Sequence, residues 1–161
     1  MKKSLIIAAI AVFGFTSVQA QEGGFNVGVN FGLPLGDIDE VSSFNAGLDV
    51  SYMFDVVDSF QAGPSVGYSH FFLKSEFSDL FDDIQFLPVS ASARFFASED
   101  LFFGANLGYA VGINDGNDGG FYYRPNIGYS LGSVNLILSY QGISDDGFTA
   151  SSINLGVEFG L

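Results

Sequence analysis

Four charged residues, Asp49, Arg94, Arg124 and Glu158, each lie among small and polar positions that alternate with apolar ones. Two of each sign on one face of a fold predict pairing, because isolated charges in a packed interior are costly. The bland outcome is an ion-pair and hydrogen-bond plug; the sharper one is a selectivity or gating element in a narrow pore. His70, the only histidine, follows Ser69, and an imidazole beside a hydroxyl suggests a base and a nucleophile. Neither its spacing nor a carboxylate nearby in sequence reproduces a triad, so a non-catalytic histidine is the better expectation. Asp115, Asn117 and Asp118 offer clustered oxygens to a hard cation. They lack the EF-hand register and its closing glutamate, and read as a flexible acidic loop. No catalytic, cofactor or metal residue is therefore assigned. Phe71, Phe72, Phe77, Leu80 and Phe81 make one connecting segment unusually apolar, as a cover over neighbouring structure or a contact surface would be.

The elements that position these residues are strands. Apolar and small-polar residues alternate in eight runs, which places them on opposite faces of a sheet. The runs are Phe25–Phe31, Phe44–Phe54, Phe60–Tyr68, Leu87–Phe95, Phe103–Ile113, Phe121–Leu131, Val134–Tyr140 and Ile153–Leu161. One face carries Phe, Tyr, Leu, Val and Ala. The other carries Gly, Asn and Ser with the four charges, and only Met53, Pro88, Ala110 and Ile137 on it are plainly apolar. Pro64, Pro88 and Pro125 lack the N–H that a ladder needs, so bulges or local fraying are expected there.

Ahead of the runs, Lys2 and Lys3 precede an apolar stretch from Leu5 to Phe15, and Val18, Gln19 and Ala20 resemble a small-residue cleavage site. Residues 1–20 therefore read as a cleaved secretory signal peptide, with residues 21–161 as one domain. No later segment approaches the roughly 20 apolar residues of a membrane helix. The absence of cysteine removes disulfides and thiolate metal sites. Beyond residue 20, Lys74, Arg94 and Arg124 face 18 acidic residues, so there is no basic footprint for nucleic acid.

Connections alternate in length, as in an up-and-down barrel. Asp55–Ser59, Ala97–Asp100 and Gly132–Ser133 are short. The links 33–43, 74–83, 114–120 and 144–149 are longer, which with the N-terminus starting in the periplasm puts them at the outward end, and they hold eleven of the 18 acids. Volume decides which face is inside. Eight strands enclose a lumen just wide enough for side chains to fill it, which suits Gly, Ser and Asn and cannot hold the Phe, Tyr and Leu of the other face. The large residues therefore face lipid, with Tyr52, Phe54, Phe60, Phe95 and Phe103 as an aromatic girdle near the short-turn end. A soluble lipocalin-like lipid-binding barrel would need the reverse packing.

The reading is all-β: an eight-stranded antiparallel up-and-down transmembrane β-barrel. Signal peptide, eight runs, acidic long links and the final strand Val157-Glu158-Phe159-Gly160-Leu161 together resemble the small bacterial outer-membrane β-barrel family of the OmpA and OmpX type. The resemblance covers the whole chain beyond residue 20 and is one of pattern. It implies a porin-like integral barrel in the outer membrane of a Gram-negative cell, exported through the periplasm and serving envelope integrity or surface interaction. Implied partners are outer-membrane lipid, lipopolysaccharide and the barrel-assembly machinery, with a monomeric state. That machinery reads the last strand in this family, which implies the role for Ile153, Leu155, Val157, Phe159 and Leu161; this chain ends in leucine rather than an aromatic residue. Rival functions are a small channel for small or hydrophobic solutes and, from His70 and Ser69, a lipid-modifying enzyme of the outer membrane.

Overall fold

The computed structural model describes residues 23–79 and 81–161. The signal peptide expected over residues 1–20, and Leu80 of the apolar link, lie outside them. Eight antiparallel strands follow one another around a closed ring: β1 (Gly23–Leu35), β2 (Ser42–Val57), β3 (Phe60–Leu73), β4 (Ile84–Phe96), β5 (Leu101–Gly112), β6 (Gly120–Ser130), β7 (Val134–Asp145) and β8 (Phe148–Gly160). β1 pairs with β8 through ten residues, from Asn26 opposite Gly160 to Leu35 opposite Ser151. Leu161 then donates its N–H to the Phe25 carbonyl at 2.8 Å. The ring has no free edge, which is what a sheet in hydrocarbon requires.

The alternation resolves as apolar outside and polar inside. On β1, Phe25, Val27, Val29, Phe31 and Leu33 are exposed, while Gly28, Asn30 and Gly32 between them are buried. Leu107 and Leu155, near mid-strand, are 54% and 65% exposed. This packing is the reverse of a lipocalin and removes the soluble alternative.

Aromatic rings collect at two levels on the outside. Near the short turns, Phe25 meets Tyr52 edge-on at 4.7 Å and Tyr52 meets Phe54 at 4.8 Å, while Phe95 stands between Phe60 and Phe103. Towards the long links, Phe31, Phe44, Phe72 and His70 follow in a row, ending with Phe72 stacked on His70 at 4.1 Å. Tyr52 and Phe44 lie eight residues apart on β2, about 26 Å along the strand. Once tilt is allowed for, that matches the roughly 25 Å apolar band between the girdles of an outer-membrane barrel.

Pro64, Pro88 and Pro125 each produce fraying without a bulge. Pairing steps from Ser51–Ser65 to Phe54–Ala62 beside Pro64, from Val66–Val89 to Ser69–Phe86 beside Pro88, and from Tyr123–Gly142 to Asn126–Ser139 beside Pro125. Register is unchanged across every gap, so the ladder lapses and resumes. On its intact flank each ring faces an alanine: Pro64 opposite Ala91, Pro88 opposite Ala110, Pro125 opposite Ala105. True register shifts occur only near the ends of β2, between Ser42 and Phe44 and between Asp55 and Val57, among the described residues. Next to Pro64 the backbones close in, and a Cβ on Gly63 would come within 1.8 Å of the Tyr52 carbonyl oxygen.

Most strands run further toward the long-link end than the alternation alone indicates. β1 continues to Leu35, β3 to Leu73 and β7 to Asp145, and the last link shrinks to Asp146-Gly147, with Gly147 at φ 86°. The first link winds into a five-residue 3-10 helix, Gly36–Glu40, which carries Ile38 over the barrel mouth with no exposed surface. A charge on the lipid face tests this arrangement. Leu107→Arg should destabilise the barrel by about 2–4 kcal/mol in reversible unfolding from lipid vesicles, and a change near zero would contradict the outward placement of Leu107.

Candidate functional site

The four lumenal charges stand on the even-numbered strands. In a ring of eight, β4 lies opposite β8 and β2 opposite β6, and each facing pair carries one cation and one anion. Arg94 of β4 reaches Glu158 of β8 through two parallel bonds, Nη1 to Oε1 at 2.8 Å and Nη2 to Oε2 at 2.5 Å. Arg124 of β6 donates from Nη1 to Oδ2 of Asp49 on β2 at 2.7 Å. The two ion pairs are therefore diametric struts that cross the same narrow interior.

Neighbours complete each charge. Glu158 accepts a second donor from Asn135 at 2.8 Å, and the Arg94 guanidinium lies 5.0 Å from the centre of the Phe102 ring. Phe102 in turn covers Gly128, where a Cβ would strike the ring at 2.0 Å, so glycine is required for the ring to lie flat across the strands. Asn30 donates to Asp49 at 2.7 Å, and Arg124 gives its Nε hydrogen to Ser139 at 2.9 Å. Satisfied on several sides, these charges escape much of the cost of burial. Between the struts only about 30 Å³ is open, lined in part by Ser65, Ser92 and Asn106. That is water-sized space, and the buried Oδ1 of Asn126 beside it, which has no protein partner, suits a bound water.

Toward the long links the lumen changes character. Ser69 accepts from Asn45 at 3.0 Å and from Gln141 at 2.8 Å, forming a neutral polar layer. One lumenal step further out, Phe71 lies beyond Ser69, Tyr122 beyond Arg124, Ile143 beyond Gln141 and Ala150 beyond Ser152. With Phe86, Ala110 and Ile38 they form a buried apolar cluster that seals the passage. Sequence reasoning missed this cap because Phe71, Phe86 and Ile143 lie outside the eight runs, beyond Tyr68, before Leu87 and beyond Tyr140. Extending the period of β3 beyond Tyr68 places Ser69 and Phe71 on the lumenal side, so the signal was present.

The same alternation separates Ser69 from His70. Ser69 is buried in the lumen and His70 faces outward, so the two cannot act as nucleophile and base. A carboxylate does reach the imidazole, from 13 residues on: Asp83 Oδ2 lies 2.8 Å from Nε2, with the Tyr68 hydroxyl 2.9 Å from Nδ1. Asp83 also accepts the Leu73 N–H at 2.9 Å. The contacts tie the end of the second long link to the rim of β3. Burial raises the Asp83 carboxyl pKa, but the Leu73 N–H and the His70 side chain outweigh it and hold the group below the ordinary aspartate value. Asn117 of the third long link spends its carboxamide on backbone, accepting from the Gly119 N–H of the link at 3.1 Å and donating to the Gln85 carbonyl of β4 at 2.9 Å. Among the described residues no three His, Cys, Asp or Glu side chains converge as a metal site would require.

Above the apolar cap opens a bowl of about 660 Å³. Ile84, Phe86 and Ile143 form its floor, and the second, third and fourth long links form its walls.

A closed antiparallel ring, apolar outside, girdled by aromatics and cross-braced by ion pairs, defines a transmembrane β-barrel of the eight-stranded outer-membrane type. Its fold is similar to that of several solved barrels. Ail, the attachment invasion locus protein of Yersinia pestis, superposes with a TM-score of 0.63 at 16% identity over 89% of this chain and all of that one. Neisserial surface protein A gives 0.53 at 14% identity over 88% and 99%. The N-terminal barrel of Pseudomonas aeruginosa OprF gives 0.52 at 14% identity over 88% and 100%. No family model matches the sequence, and no curated protein matches it.

Two outcomes follow from these contacts. Arg94→Ala, which strands Glu158 in the lumen, should cost about 3–5 kcal/mol, while Arg94→Met combined with Glu158→Leu should cost clearly less; unfolding in lipid vesicles measures both. Because the Asp83 pKa is depressed on folding, its contribution is fully present above the ordinary aspartate pKa of about 3.9 and is lost as pH falls below it. The hydrogen-exchange protection factor of the Leu73 amide should therefore be high at neutral pH and fall in that acid window, and Asp83→Asn should flatten the change.

Proposed function

We propose that this protein is a non-enzymatic integral outer-membrane barrel that serves envelope integrity or cell-surface interaction and does not conduct. The carrying observation is the doubly braced lumen, in which about 30 Å³ is open between the struts and an apolar cap lies beyond them. Solutes cannot pass without breaking buried ion pairs. The long, acidic links face the outside of the cell, and the short turns face the periplasm through which the chain is exported. Outer-membrane lipid and lipopolysaccharide surround the monomer. The assembly machinery reads β8 during insertion, where Ile153, Leu155 and Phe159 stand exposed on the lipid face in the alternation it requires. Ser69 and His70 lie on opposite faces, which removes the sequence basis for a lipid-modifying enzyme.

A surface role finds support in the mouth. Strand extension shortens the last link to Asp146-Gly147, the first link winds into the 3-10 helix, and Asp83 ties the second to the Leu73 N–H. Ail has been crystallised with a heparin analogue, sucrose octasulfate. The acid-rich links of this chain would repel such a polyanion, so its surface partner is of different chemistry.

Planar-bilayer recording tests the closed lumen. The refolded barrel should give no stable unitary current, and flickering openings should appear only when one strut is neutralised through Arg124→Ala and Asp49→Ala and the cap is thinned as well through Phe71→Ala. Reproducible conductance from the unaltered protein would overturn the reading in favour of a channel.

A further inference from the structure

The bowl at the long-link end lies beyond the apolar cap and is separate from the lumen. At about 660 Å³ it falls within the roughly 300–1,000 Å³ of small-molecule sites. Its floor is the outer surface of the apolar cap, where Phe86 and Ile143 are 4% and 3% exposed and turn what little surface they have toward it. Phe77, Phe81 and Phe148 stand around it, with Phe81 67% exposed, a poor position for a phenyl ring that covers nothing.

The polar groups at the rim are of one sign. Asp82, Asp115, Asp118 and Asp146 line the opening from three different links, and Asp145 joins them from the end of β7. No basic side chain lines it among the described residues, and the nearby Lys74 turns its ammonium to the Asp39 carbonyl at 2.5 Å. Clustered carboxylates above low-dielectric walls focus a negative potential into the concavity. That field repels phosphate-bearing lipid and lipopolysaccharide. The apolar floor, in turn, gives nothing to a fully hydrated polyamine. A ligand that satisfies both has an apolar or aromatic body with an attached positive charge, and the open ring faces of the walls add cation–π attraction.

We infer that the bowl is a binding site for small organic cations with an apolar body. The site deepens the surface-interaction reading above and rests on it: the floor exists because the lumen is capped, and the acids face outward because the long links do. The cap residues are thereby shared by two tasks, closing the lumen below and supplying an apolar seat above.

Two xanthene dyes of similar ring system and opposite charge test this directly. The barrel is placed in phosphatidylcholine nanodiscs, with empty nanodiscs as the blank, and titrated by fluorescence anisotropy with the cation rhodamine 6G and the anion fluorescein. Saturable binding of rhodamine 6G, at least about tenfold tighter than fluorescein, is the expected result. Asp82→Asn with Asp146→Asn should weaken it by about fivefold, and Phe81→Ser with Phe148→Ser by about tenfold. All four positions are exposed, so the variants should keep the heat-modifiable mobility of the folded barrel on a denaturing gel. Equal affinity for both dyes would overturn the inference. So would binding that responds to the aspartates alone, since that is surface ion pairing without a seat in the bowl. Failure here would leave the bilayer recordings silent, whereas failure of the closed-lumen reading would show as current whatever the dyes do.

Discussion

Backbone hydrogen bonding in a medium without water is the constraint on which this molecule depends. Each N–H and C=O at membrane depth must find its partner in the sheet, so the eighth strand has to close on the first. Eight strands make the closed ring, and the strand number fixes the width of the lumen. The width then dictates contents: too narrow for bulk solvent, too wide to be filled by glycine and serine alone. Long side chains that reach across fill it, and Arg94 and Arg124 are long enough to meet acids on the opposite strands.

Charge in the lumen follows from the same geometry. A guanidinium presents a planar fork of donors, and Arg94 uses two of them on Glu158 in the bidentate geometry that lysine cannot supply. Because the two struts run between different pairs of strands, they brace the ring along two diameters. The sheet tolerates three lapses at proline without losing register, and the struts help to explain why: strand positions are held from inside as well as along the ladder. Around the outside the restraint is looser, set by the two aromatic levels rather than by specific pairs.

A barrel closed in its middle can still be useful at its ends. Here the cap replaces polar lumen with Ile38, Phe71, Phe86, Tyr122 and Ile143, which ends the lumen as a conduit and begins the mouth as a surface. The 3-10 helix, the Asp83 anchor and the tight last turn hold the links near the strands that bear them. The proposed surface role rests on the contrast between a closed core and an acidic, apolar-floored mouth.

Alternation is a local property, and it was legible residue by residue: strand number, the face each side chain takes, and the outward turn of the apolar face all follow from a period of two and a limit on volume. The four lumenal charges were legible as a set for the same reason. Their partners were not, because Arg94 meets Glu158 across 64 residues and Arg124 meets Asp49 across 75, and periodicity carries no information about which opposite sign lies across the ring. The cap was half legible, hidden where Ser69-His70-Phe71 continues a strand into a segment that composition marks as a link. By itself, then, the sequence determined the sheet, its faces and its medium, since these depend on neighbours along the chain. Tertiary structure alone decided the crossing of the struts, the separation of Ser69 from a base that Asp83 nevertheless reaches, and the bowl above the cap, since each joins strands or links that only closure of the ring brings together.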